Sequence, residues 1–275
     1  MSRSKLFLTV FSILTACGFT ISEDKMEKTF KDRELVPTLQ RVQYGERSIH
    51  YAAIDQGKDN LLVFVHGSPG SWNAFIDYFK NDSLLARSDM ISIDRPGFGE
   101  SDRGWPEPSI EAQARMMQAV TGQFPHKYKI LVGHSLGGPV IARMAMDFPD
   151  DYQGLLFLAP SIDPEMEKDE WYRSLIKSKV GGWFTPGDFW VSNEEIASLK
   201  VELTEMIPLW QHIKAKGIVI QGTKDMLVPR ENAEFARSMM PDSLLEVRYI
   251  ERANHFIPWS HAEEVLRGVF DLLGD

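Results

Sequence analysis

The stretch Ile130-Leu131-Val132-Gly133-His134-Ser135-Leu136-Gly137-Gly138 restricts this 275-residue chain more than any other. An apolar run of strand character passes through G-x-S-x-G directly into a helix-capable segment. Such an elbow holds its central residue in a strained conformation and projects it from the edge of a sheet, and the residues two positions to either side must be small to avoid collision. Gly133 and Gly137 meet that need. The elbow also sets Ser135 at a helix N-terminus, where unpaired N–H groups and the dipole favour negative charge developing nearby. The bare pattern is weakly specific, and it gains specificity from its strand-turn-helix context and its partners.

From Val42 onward, strand-like and helix-like stretches alternate around this elbow. Short β-branched runs at 48–54, 61–65, 90–93, 129–132, 154–158, 217–221 and 245–250 are interleaved with helix candidates at 72–79, 110–122, 136–147, 230–239 and 261–273. That rhythm predicts an α/β class, a mostly parallel sheet with helices on both faces. The runs LLVFV and GLLFL are apolar without alternation, as expected of strands buried on both sides. The rhythm breaks at 161–212, about fifty residues that hold Trp171, Trp183, Trp190, Trp210, Phe184 and Phe189. So aromatic an insertion reads as a lid over something apolar, or as rings that only fasten the lid to the domain.

Composition excludes several classes. The net charge is −9 and no Lys/Arg cluster forms the positive strip that a phosphate backbone requires, so no nucleic-acid partner is expected. With 43% hydrophobic and 25% charged residues, and Gly and Pro dispersed, the chain is neither disordered nor collagenous. The one cysteine, Cys17, allows no intramolecular disulfide and no thiolate metal site. No H-E-x-x-H, Walker loop or G-x-G-x-x-G after a strand occurs, so neither a metal nor a cofactor is called for.

Residues 1–16 place Arg3 and Lys5 ahead of an apolar stretch at 6–14, the plan of a secretory signal. The stretch is shorter than the roughly 20 residues of a membrane-spanning helix. Leu14-Thr15-Ala16-Cys17 resembles the lipobox of bacterial lipoproteins, which implies a diacylglyceryl anchor on Cys17 after cleavage. A plain signal cut near Ala16 or Gly18, or a buried N-terminal helix, are the alternatives. By the lipoprotein rule, Gly18 rather than Asp after the cysteine would permit transfer to an outer membrane. Cleavage removes Arg3 and Lys5 and leaves a more acidic chain, so acyl chains rather than a basic patch would hold it to a membrane. Residues 17–36 carry mixed charge and read as a solvated tether. The expected division is a signal at 1–16, the tether at 17–36, a core at 37–160 and 213–275, and the cap at 161–212. The expected location is the bacterial cell envelope, lipid-anchored, with a soluble periplasmic or secreted protein as the alternative.

A serine hydroxyl needs a base within reach and a group that orients the base. Of seven histidines, His255 lies in Ala253-Asn254-His255-Phe256, just past the last strand, at the carboxyl edge where sites of open α/β sheets gather. His66 and His134 sit inside motifs whose backbone matters and read as structural. His50, His126, His212 and His261 carry no partner signal and read as surface or packing residues. For the acid, Asp225 follows a strand and continues into Leu227-Val228-Pro229, with Asp163 as the competitor. A tetrahedral oxyanion needs N–H donors, each worth on the order of 10² to 10³ in rate. Leu136, the residue after the serine, supplies one. Ser68 in His66-Gly67-Ser68-Pro69-Gly70 supplies the other, since Pro69 has no N–H.

Taken in order, HGSPG at 66–70, DRPGFGESD at 94–102, GHSLGG at 133–138, QGTKDMLVP at 221–229 and NHF at 254–256 resemble the α/β-hydrolase superfamily over roughly residues 42–273. The resemblance implies the α/β-hydrolase fold with a short helical cap at 161–212. It implies Ser135 as nucleophile, His255 as general base and then acid, and Asp225 as its orienter, with Asp94 and Arg95 as scaffold. Epoxide hydrolases and haloalkane dehalogenases share the first two elements but place aspartate at the elbow, so serine here implies an acyl-enzyme rather than an alkyl-enzyme ester. The expected activity is hydrolysis of an ester or related acyl bond in a small molecule, with an apolar acyl group favoured by the aromatic cap and the membrane tether. Peptidase or amidase action, perhydrolysis and carbon–carbon hydrolysis use the same machinery, and a non-catalytic envelope binding protein is the reading outside enzymes. Since the base must be neutral to take the serine proton, activity is expected to fall on acidification.

Overall fold

The computed structural model describes residues 21, 23–167 and 187–274. Eight strands, β1 (Thr38–Tyr44), β2 (Arg47–Ile54), β3 (Asn60–Val65), β4 (Ser88–Ile93), β5 (Tyr128–His134), β6 (Gly154–Leu158), β7 (Lys216–Gly222) and β8 (Leu245–Ile250), form one sheet in the order β1-β2-β4-β3-β5-β6-β7-β8. β2 runs antiparallel to both its neighbours, and every other pairing is parallel. The helices are α1 (Glu23–Phe30), α2 (Asp82–Leu85), α3 (Ile110–Thr121), α4 (Gly137–Asp147), α5 (Gly187–Met206), α6 (Glu231–Met239), α7 (Ile257–Ser260) and α8 (Ala262–Leu273).

Side chains alternate across a strand, so each apolar run feeds two cores. Leu61, Val63, Val65, Leu155 and Phe157 enter one cluster with α3, α4 and α6. Leu62, Phe64, Leu156 and Leu158 enter the other with α8 and the 72–85 region. Burial on both faces is why these runs show no polar alternation. It also fixes the parallel register, which brings the carboxyl ends of β3, β4, β5, β6 and β7 to one edge.

Three stretches differ from the sequence reading. β1 precedes the first expected strand; it is an edge strand with only Val42 buried, so its pattern carries almost no apolar signal. Residues 72–79 form two 3₁₀ turns, Trp72–Phe75 and Tyr78–Lys80, rather than a helix. Phe75, Tyr78 and Phe79 all gather on Phe64, with ring centroids 4.9, 5.6 and 6.1 Å away, and the tighter turns bring them to that one point. Within the stretch read as a solvated tether, residues 23–30 form α1. Its Phe30 is buried against the second core, and Arg33 just beyond donates to the Lys80 carbonyl at 2.6 Å. Residues 1–20, with Arg3, Lys5 and Cys17, lie outside the described residues.

Of the insertion at 161–212, the described parts are a turn at Pro164–Met166, α5, and a 3₁₀ segment at Ile207–His212. Trp210 belongs to the core: its ring packs against Phe157 and Phe235 at 6.5 and 5.9 Å. Trp171, Trp183 and Phe184 lie outside the described residues. α5 rests over the β4–α3 connection through polar contacts. Asp188 pairs with Arg103 at 2.6 Å, Ser198 donates to the Pro108 carbonyl at 3.2 Å, and Glu202 accepts the Ile110 N–H at 2.8 Å, capping α3.

Candidate active site

Ser135 stands between β5 and α4 at φ +54°, in the left-handed region that costs a non-glycine residue about 1–2 kcal/mol. The neighbourhood holds it there. The Ser135 N–H donates to the Leu158 carbonyl at 3.0 Å, and the Ser135 carbonyl accepts from the N–H groups of Gly138 and Ser161 at 2.9 and 3.2 Å. The flanking glycines are required by space: a Cβ on Gly133 would lie 2.6 Å from the Gly137 carbonyl oxygen, and one on Gly137 would lie 2.3 Å from that of Val65.

His255, after β8, and Asp225, after β7, are joined by Nδ1 to Oδ2 at 2.8 Å, with both side chains nearly enclosed. A carboxylate only accepts, so Nδ1 carries a proton toward Asp225, and Nε2 is the ring nitrogen left to exchange a proton with another group. Asp225 is itself fixed, accepting the Leu227 and Val228 N–H groups at 2.9 Å each on Oδ1. Asp163, the competing acid, is spent elsewhere: its carboxylate caps the Pro164–Met166 turn through the Glu165 N–H at 2.9 Å.

His134 ties His255 to the elbow. Its Nε2–H donates to the His255 carbonyl at 3.0 Å, and the two rings lie 4.7 Å apart. Burial, reinforced by the neighbouring His255, pushes the His134 pKa down to about 3, so this ring stays neutral. Trp259 packs edge-on against His134 at 5.2 Å and remains half exposed, and Met226 and Leu227 beside Asp225 are exposed as well. Sequence reading did not single out this apolar rim, since single exposed apolar residues carry no pattern.

The third component is the loop after β3. Gly67 lies against the nucleophile, for a Cβ there would meet the Ser135 Cβ at 2.9 Å. Among the described residues, neither the Ser68 nor the Leu136 N–H, the two donors expected from sequence, gives a hydrogen bond to another group.

Beneath this loop lies an ion pair that no sequence pattern announced. Arg95, fully buried, gives all five of its N–H groups: Nε to the His66 carbonyl, Nη1 to Gln113 Oε1 and Glu195 Oε1, and Nη2 to the Gly67 carbonyl and Glu195 Oε2. Glu195, buried on α5, also accepts from Gln113 Nε2 at 2.9 Å and from the Ser68 hydroxyl at 2.8 Å. Losing one partner of such a pair strands a buried charge, at a cost of about 3–5 kcal/mol.

Three further histidines, His66, His50 and His126, take structural posts. His66 accepts the Arg95 N–H on Nε2 at 2.9 Å, and its burial, with the Arg95 charge beside it, pushes its pKa well down. His50 and His126, read as lacking partners, each meet a buried aspartate: Asp94 at 2.7 Å and Asp89 at 2.9 Å. Asp94 also accepts the Trp72 and Glu100 N–H groups, so it organises its turn as scaffold. Among the described residues, Asp55, Asp89 and His126 come close enough to hold a metal ion. Asp89 opens β4, at the end of the sheet opposite Ser135, and its oxygens already accept from Gln56, Lys58 and His126.

Comparisons with known proteins bear on the fold. A family profile described as alpha/beta hydrolase fold matches residues 60–185. The 2-hydroxy-6-oxononadienedioate/2-hydroxy-6-oxononatrienedioate hydrolase of Comamonas testosteroni is 24% identical over 259 residues, covering 80% of this chain and 90% of its own. The pimeloyl-[acyl-carrier protein] methyl ester esterase of Proteus mirabilis is 30% identical over 116 residues, 41% of each chain. Among solved structures, a membrane phospholipase A superposes with a TM-score of 0.67 at 17% identity, covering 100% of this chain and 98% of that one, a likeness that carries the fold alone.

Proposed function

We propose that this chain, whose fold is that of the α/β hydrolases, is a serine hydrolase that cleaves an ester or related acyl bond through an acyl-enzyme. The observation that carries the reading is the serine held at φ +54° on the strand-to-helix elbow while a histidine 2.8 Å from a buried aspartate packs on the neighbouring residue. In this reading Ser135 Oγ attacks the carbonyl as His255 Nε2 takes its proton. The Ser68 and Leu136 N–H groups receive the oxyanion, and Asp225 steadies the imidazolium. Collapse expels the alcohol, protonated by His255, and water then cleaves the acyl-enzyme by the same steps.

The exposed apolar side chains of Met226, Leu227 and Trp259 around the His255–Asp225 pair favour an apolar acyl group. The cap is assigned to the insertion at 161–212, with α5 as its fixed wall. A second reading, carbon–carbon hydrolysis, draws on relatives named as hydrolases of 2-hydroxy-6-oxo dienoates and their like. Export and anchoring through Cys17 complete the proposal; among the described residues no helix is long and apolar enough to cross a membrane.

The test is a fluorophosphonate probe followed by turnover of a chain-length series of aryl esters beside arylamides and a 2-hydroxy-6-oxo dienoate. Stoichiometric labelling abolished by Ser135→Ala, with the highest kcat/KM on a medium or long aryl ester, is expected. Folded protein that neither labels nor turns over an ester would sink the enzyme reading. Preference for the dienoate would move the function to the second one.

A further inference from the structure

We propose that Glu195 is a positioning residue for the reaction: from α5 its carboxylate sets the direction of the oxyanion-binding N–H of Ser68. This rests on the reading of Ser135 as nucleophile and Ser68 as oxyanion donor. The argument starts with the peptide joining Gly67 to Ser68. A trans peptide is planar, so its C=O and N–H point in opposite directions, and whatever fixes the carbonyl aims the N–H. The Gly67 carbonyl is held from behind by Arg95 Nη2 at 3.1 Å and by His66 Nδ1 at 2.6 Å. The Gly67 Cα faces the Ser135 Cβ.

Arg95 in turn is oriented by a two-pronged pairing with Glu195, at 2.7 and 3.1 Å, a geometry that a planar guanidinium and a carboxylate share and other pairs do not. The same carboxylate takes the Ser68 hydroxyl at 2.8 Å. Residues 66, 67 and 68 are thus held by one ion pair, the first two through their carbonyls on Arg95 and the third through its side chain on Glu195. The hydroxyl of Ser68 reaches Ser192 Oγ as well, at 2.9 Å, one turn before Glu195 on the same helix. The insertion between β6 and β7 therefore reaches under the site and sets the donor, besides walling it.

Every acceptor direction of Glu195 is filled by Arg95, Gln113 and Ser68, so it has no capacity left for a substrate. It acts through Ser68 and Arg95. Glu195→Gln replaces an acceptor oxygen with an NH₂ that faces the donors of Arg95 or Ser68, which loosens the loop. Ser68→Ala keeps the backbone N–H and the ion pair and removes only the hydroxyl link.

The experiment measures aryl-ester kcat and KM per fluorophosphonate-titrated site for the wild type, Glu195→Gln, Ser68→Ala and the double variant. A merely structural role changes the number of titratable sites and leaves kcat per site as it was. Complete loss of an oxyanion donor costs 10² to 10³ in rate, so partial misdirection is expected to lower kcat about tenfold in Ser68→Ala and about 10²-fold in Glu195→Gln, with KM within about twofold. Because both act on one link, the double variant is expected to lose no more than Glu195→Gln alone. Unchanged kcat per titrated site in the single variants, or fully additive losses in the double, would overturn the positioning role while leaving the nucleophile intact. Should Glu195→Gln not fold, Ser68→Ala decides by the same measure. Absence of labelling in folded wild-type protein would overturn the nucleophile reading and this inference with it.

Discussion

At the scale of single residues, His134 gives the site its stability and its acid sensitivity together. Burial holds its pKa at about 3, below the roughly 6.5 of an unfolded histidine, so between those values the unfolded chain binds the extra proton. The stabilisation is full above the unfolded value and is lost as pH falls through the window from about 6.5 toward 3. From pH 7 to pH 5 the loss from this one ring is about 2 kcal/mol. His66, shifted in the same direction by burial, adds to it. Urea denaturation at the two pH values is expected to show this drop, and His134→Gln, which keeps a donor for the His255 carbonyl, is expected to lose less. Equal slopes in the two proteins would count against a neutral buried His134. Ser135, Asp225 and His255 were legible in sequence because each follows a strand in a motif of its own. Glu195 was not: NEEIASLK reads like any solvated helical turn, and nothing local separates the buried glutamate from Glu194 beside it.

At the scale of elements, the contact that decides the architecture is backbone on backbone. The start of α4 meets the end of β3 at Gly137, where a methyl group would sit 2.3 Å from the Val65 carbonyl oxygen and 2.8 Å from that of His66. Gly137→Ala is expected to cost at least about 1–3 kcal/mol by overpacking and to displace the loop that carries Ser68. Gly187→Ala, whose Cβ would meet nothing nearer than 3.7 Å among the described residues, is expected to stay within about 0.5 kcal/mol of the wild type. Urea midpoints measure both, and comparable losses would argue against a tight α4–β3 contact. The elbow could be read in advance because its requirement is local, small residues around a strained serine. The 72–79 stretch could not, since its tight turns answer to Phe64, a ring on a strand earlier in the chain.

At the scale of the whole molecule, the proposed anchor and the proposed site are separable. The net charge of −9 disfavours attraction to anionic lipid, so in the proposed reading the acyl chains on Cys17 would hold the protein at a membrane. Cys17→Ser is expected to move the protein to the soluble fraction with labelling of Ser135 undiminished; continued membrane retention would sink the anchor. The sequence by itself determined the class of fold, the elbow and the loops that carry Ser135, Asp225, His255 and Ser68. These rest on short-range rules: runs apolar enough for burial on both faces, and turns that only particular residues permit. Only the tertiary structure decided which charges pair. Arg95 and Glu195 are 100 residues apart, and α1 and Trp210 dock where neither their length nor their composition foretold. An ion pair or a docked ring is selected by where folding brings the chain, and that position is a property of the packed whole.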